Sequence, residues 1–135
     1  MRIISKTGNR IVDVGSDDIF YSLYSTIKVR VKHVERFAPL AMDFLQEGIC
    51  SGKEAMAAAR QINLIRDALA KVTPDQIVYD YQDLSKKAPW ADNISPVITS
   101  GANYFTTADG KDLLFEIVSI LVYAGITKTD VVIEK

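Results

Sequence analysis

The sequence predicts an α+β fold, with a small, mainly antiparallel sheet and about four helices packed mostly on one of its faces. Three observations predict it. Short β-branched runs stand near both ends of the chain, at Met1 to Lys6, Arg10 to Val14 and Thr129 to Glu134. Between them lie apolar stripes with the three-and-four spacing of a helical face. The length of 135 residues, 48% hydrophobic and 24% charged, suits one core, so residues 1–135 are expected to form a single domain.

The first two runs are separated by Thr7, Gly8 and Asn9, residues that supply the positive φ of a tight turn, and read as a hairpin. Ser16 then caps a helix whose first turn carries Asp17 and Asp18 beside the positive end of the helix dipole. Ile19, Phe20, Leu23, Tyr24, Ile27 and Val31 form its apolar stripe, which predicts a helix to about Lys32. The end is ambiguous by pattern, because Ile27, Val29 and Val31 also alternate with Lys28, Arg30 and Lys32 as a half-buried strand would. A second helix is expected from Val34, through Phe37, Leu40, Ala41, Phe44 and Leu45, to Gly48. A third opens with Ser51 and Glu54 at capping-box spacing, continues through Ala55, Ala58, Ala59, Ile62, Ile65 and Leu69, and ends near Lys71.

Thr73 and Pro74 open a turn, and the alternation in Gln76 to Tyr81 predicts a central strand of the sheet. From Asp83 to Asn103 no period is sustained. A loop of that length is uncommon inside a compact domain and is usually functional or disordered; Trp90, Ile94, Val97 and Ile98 are expected apolar anchors and favour an ordered loop. Tyr104 to Thr106 is expected as another short strand. A turn at Ala108, Asp109 and Gly110 leads into a strongly apolar helix, Leu113 to Val122, ending at Gly125. Val131, Val132 and Ile133 close the sheet.

Charge and composition exclude several classes of function. Sixteen basic and 17 acidic side chains give a net charge of −1, too little positive field to hold nucleic acid by counterion release. One Cys and one His leave no disulfide, exclude most zinc sites, and give no signal of a Cys/His nucleophile. His33 reads as part of a solvated basic face and Cys50 as a residue before a helix cap. No phosphate-binding glycine motif is present. Met1 leads directly into Arg2, Ile3 and Ile4, with neither a secretory segment nor a long apolar span, so a cytoplasmic protein without membrane contact is expected. No catalytic residue, metal or cofactor is implied.

The charge is unevenly placed. Residues 75–112 carry 3 basic and 6 acidic side chains, an acidic excess that coincides with the irregular segment and with Tyr79, Tyr81, Trp90 and Tyr104. Aromatic anchors beside acids suit a surface for a basic protein partner, and they equally suit a loop that simply covers the sheet with Trp90 inside. On charge and loop position, Asp80, Tyr81, Asp83, Trp90 and Asp92 are the candidate contacts. Less patterned acids, Asp17, Asp18, Glu35 and Glu47, form a second set. If the loop folds back, Asp80, Asp83 and Asp92 would instead hold a hard cation or act as an acid/base pair.

The stretch from Ile77 to Ile117 resembles a bacterial immunity-protein family, number 70 among the immunity proteins of polymorphic toxin systems. An aromatic strand ending in an acid is followed by Asp83, Leu84 and Ser85. The core Pro89, Trp90, Asp92, Asn93, Ile94 and Ser95 comes next, then the turn Asn103, Tyr104, Phe105, Thr107, Asp109, Gly110, Lys111 and Asp112. The resemblance implies a cytoplasmic antidote, not an enzyme, that binds and neutralises the C-terminal toxin domain of a contact-dependent inhibition or related system. It also implies a toxin of nuclease type, whose basic groove an acidic surface would oppose. Two other readings stay open from the residues alone: a small ligand- or metal-binding domain using the carboxylates of loop 82–103, and an adaptor that homodimerises through an exposed strand edge.

Overall fold

A computed structural model describes residues 1–7 and 9–135. Strands β1 (Arg2–Ser5), β2 (Ile11–Asp13), β3 (Ile49–Cys50) and β4 (Val131–Glu134) form one antiparallel sheet in the order β2-β1-β4-β3. The expected hairpin is β1 paired with β2, with Ile3 opposite Val12; its Gly8 lies outside the described residues. Ile3 also faces Ile133 of β4, so the first strand lies between the second and the last.

Among the described residues, four α-helices accompany the sheet: α1 (Asp17–Arg30), α2 (Asp43–Glu47), α3 (Gly52–Leu69) and α4 (Leu113–Thr127). Helix α4 lies against β1, β2 and β4, α3 lies along α4, and α1 contacts α3. The α+β architecture is therefore as the sequence predicts. Helix α1 starts where expected, with the Ser16 hydroxyl accepting from the Asp18 amide at 3.0 Å. It ends at Arg30, two residues before the expected boundary, because Val31 turns extended and His33 takes a left-handed conformation. Ser51 caps α3 by accepting from the Glu54 amide at 3.3 Å. Ala55, Ala58 and Ala59 are fully covered, and these small side chains let α4 approach. A Cβ at Gly52 would stand 2.6 Å from the carbonyl carbon of Lys128, and one at Gly125 would stand 3.2 Å from Met56 Cβ. Gly125 is thus a packing residue within α4, and the helix continues past the expected stop to Thr127, where Lys128 supplies the left-handed end.

The second expected helix is three pieces: a 3₁₀ turn (Val34–Phe37), a π turn (Ala38–Met42) and α2. Pro39 has no amide hydrogen to donate, which breaks the regular ladder. The Gln61 side chain of α3 accepts from the Ala41 amide at 2.9 Å, so this irregular backbone is satisfied from outside. Gly48 ends α2 at φ 84° as expected.

Two expected strands are absent. Pro74–Gln76 is a 3₁₀ turn, and residues 77–81 join no ladder. Instead Val78 docks on α1: its amide donates to the Thr26 hydroxyl at 3.0 Å, and its carbonyl accepts from Ser22 at 2.8 Å and Thr26 at 3.1 Å. Hydroxyls on a helix do here what a neighbouring strand does in a sheet. The fourth strand of the sheet is instead β3, only two residues long, at the edge beside β4. Tyr104 to Thr106 contributes one isolated bridge, Thr106 with Asp112, because the chain immediately enters the α4 cap. Of the four expected loop anchors, Trp90, Ile94 and Ile98 pack on the core, whereas Val97 is 76% exposed.

Candidate binding surface

The segment that covers α1 brings three tyrosines together. Spacing along α1 puts Tyr21 and Tyr24 on the same flank, and the chain after Val78 places the Tyr81 ring 5.8 Å from each of them. The Lys28 ammonium, one turn further along the helix, sits 4.9 Å from the Tyr81 ring centre and 5.8 Å from that of Tyr24. Asp80 ties this segment to α1. It accepts from the Tyr21 hydroxyl at 3.0 Å and from the Gln82 amide at 2.9 Å, and Lys86 Nζ lies 3.7 Å from it. With its side chain 16% exposed, Asp80 holds the fold of the segment. Desolvation, and then this carboxylate, raise the Tyr21 phenol above its ordinary pKa.

The other expected contacts are dispersed. Asp83 is exposed and forms a local turn with Ser85, whose hydroxyl and amide donate to it at 2.6 and 3.1 Å. Those hydrogen bonds hold its carboxyl below the usual carboxylate range. Trp90 donates from Nε1 to the Tyr104 hydroxyl at 3.0 Å and meets the edge of Tyr79, so it braces the loop from within. Asp92 is exposed beside a cavity of about 570 Å³ that is also lined by Arg30, Lys86 and Lys87, which offset the acidic excess there. Tyr81, Trp90 and Asp92 each line a different cavity. The three loop carboxylates hold no common cation site. Among the described residues, no three His, Cys, Asp or Glu side chains are grouped to bind a metal.

A more coherent acidic surface lies elsewhere. Tyr21, Tyr24 and Tyr81 line a cavity of about 520 Å³ with Asp17 and Asp18 of the first turn of α1 and Glu47 of α2. Glu47 also lines a neighbouring cavity of about 320 Å³, where Asp43, Glu54 and Asp130 stand with no Lys or Arg in the lining. Ile49, on the edge strand beside them, is 54% exposed. Three of the second set of acids, Asp17, Asp18 and Glu47, thus meet one member of the first, Tyr81; Glu35 is exposed near His33. The sequence carried part of this signal in the one-turn spacing of Asp17, Tyr21 and Tyr24. It carried none of the juxtaposition with Glu47, which depends on β3 bringing the end of α2 to the sheet. Cys50 is buried, and desolvation pushes its thiol up to about 11, which keeps it protonated and unreactive at neutral pH.

Among the described residues, no helix is long and apolar enough to cross a membrane. The model of the family described as Immunity protein 70 matches residues 5–133. No curated protein and no solved structure matches the chain.

Proposed function

The chain belongs to the Immunity protein 70 family, and from that premise we propose that it is a cytoplasmic antidote which binds and neutralises the C-terminal toxin domain of a contact-dependent inhibition or related polymorphic toxin system. The single observation that carries this reading is the family match over residues 5–133, nearly the whole chain, which also supports treating residues 1–135 as one immunity domain. The protein acts by occupying the toxin, in a stoichiometric complex, and performs no catalysis of its own. A nuclease toxin fits best, because the basic groove that grips a nucleic acid backbone is complementary to carboxylates set among tyrosines. On this reading Tyr81, Asp83 and Asp92 touch the partner, and Asp80 and Trp90 keep the segment in shape for it.

The test is co-expression with the toxin domain encoded beside this gene. Growth rescue, together with a one-to-one complex on size exclusion, is the expected result. A folded protein that neither rescues nor binds would overturn the reading.

A further inference from the structure

We propose that the tyrosine-lined cavity and its acidic neighbour form one docking groove, and that its occupant is a segment of the toxin domain presenting two basic side chains. The proposal rests on the antidote reading and says which face of the protein performs it.

The first cavity is built from rings and carboxylates in the arrangement a guanidinium or ammonium prefers. Its wall is Tyr21, Tyr24 and Tyr81, and its rim carries Asp17, Asp18 and Glu47. Lys28 lies over Tyr81 and Tyr24 and occupies one face of the ring pair, a contact within the protein that shows these rings hold positive charge. Among the described residues, Lys135 is the one side-chain cation in the lining, and the Met1 ammonium, also in the lining, is engaged by the Gly15 carbonyl at 2.8 Å. The second cavity is lined by four carboxylates and no Lys or Arg. A partner that is basic is attracted to both.

The shared wall sets the size of the occupant. Glu47 belongs to both cavities, so a single amino acid or small cation fills one and leaves the other empty. A peptide segment with two basic residues fills both and covers the exposed Ile49 and Tyr21. Glu47 itself is hard to explain by stability. It is the last residue of α2, where its negative charge meets the negative end of the helix dipole.

The experiment titrates the toxin domain encoded beside the gene into the full chain and into three variants. Glu47→Gln alone is expected to weaken binding about tenfold, since a charge-assisted contact is lost. It relieves an unfavourable helix-end charge, so its melting temperature should not fall. Asp17→Asn, Asp18→Asn and Glu47→Gln together are expected to cost about 100-fold and to flatten the salt dependence of affinity. Asp67→Asn, exposed on α3 and in the lining of neither cavity, should stay within about threefold. A triple variant that binds within about threefold of the parent would sink the groove while leaving the antidote reading intact. An equal loss in Asp67→Asn would do the same. If the parent shows no binding, the antidote reading fails and the groove with it. If instead the parent is a dimer that the triple variant dissociates, the occupant is a second copy and the proposal is overturned.

Discussion

The hydroxyl of Thr26 serves both main-chain groups of Val78, accepting from its amide at 3.0 Å and donating to its carbonyl at 3.1 Å. One side chain thereby anchors the segment that carries Tyr79, Asp80 and Tyr81 onto α1. Thr26→Val keeps the shape and removes both bonds. The buried Val78 amide loses its acceptor, while Ser22 still serves the carbonyl, and an unsatisfied buried group costs about 1–3 kcal/mol. Chemical denaturation should show that loss, and Thr26→Ser should restore most of it.

Gly52 tests the approach of α3 to the end of α4. A Cβ there would be 2.6 Å from Lys128 C and from Thr129 N, both backbone atoms that cannot rotate away. Gly52→Ala should therefore destabilise the protein by about 1–3 kcal/mol despite the higher helix propensity of alanine. The exposed neighbour Lys53→Ala should change stability by less than about 0.5 kcal/mol.

Asp80 and Asp83 are separated by two residues and should behave differently. Asp80→Ala removes the acceptor for Tyr21 and Gln82 and the partner of Lys86. A loss of about 1–3 kcal/mol is expected, with faster proteolysis of residues 79–90. For Asp83, whose acceptor bonds are local and exposed, Ser85→Ala should raise the carboxyl pKa toward its ordinary value while leaving the melting temperature nearly unchanged. Denaturation of the first variant and NMR titration of Asp83 in the second separate a fold-holding carboxylate from a surface one.

The Cys50 thiol, raised from 9.0 to about 11 by desolvation first and then by Glu54 and Asp130, links stability to alkaline pH. Because the folded pKa is the higher one, this contribution is complete below about pH 9. It is lost as pH rises to about 11. Denaturation between pH 8 and 11 should show a steeper decline for the parent than for Cys50→Ala. In the native protein at pH 8, alkylation of Cys50 should track unfolding.

Much of the fold was legible because its signals are local. Ser16 and Ser51 mark their helices by capping chemistry that needs no knowledge of the rest of the chain, and Gly48 marks a stop by its conformation. The strand assigned to Gln76–Tyr81 failed for a reason of the same kind. Alternation reports which side chains are covered, and Val78 is covered, but alternation is silent on whether the backbone meets a strand or the hydroxyls of Ser22 and Thr26. These two, with Ser25, lie on a face of α1 that reads as solvent-facing by residue type and is buried. β3 is too short to show any period. The candidate surface suffered most, since Asp17 and Glu47 are thirty residues apart and only the sheet brings them to one cavity. Trp90, conspicuous in the sequence, proved to be a brace.

The pairing of β1 with β4 joins residues 2–5 to residues 131–134, so the sheet closes on contacts that span nearly the whole chain. During synthesis the N-terminal hairpin emerges with one edge of β1 open, and it stays so until Glu134 has left the ribosome. Non-local pairing of this kind folds slowly and leaves strand edges exposed in the interval. A prematurely terminated product lacks the strand that seats between β1 and β3. The immunity domain therefore closes its sheet only in chains that extend through Glu134, and a chain that stops short keeps the open edge of β1.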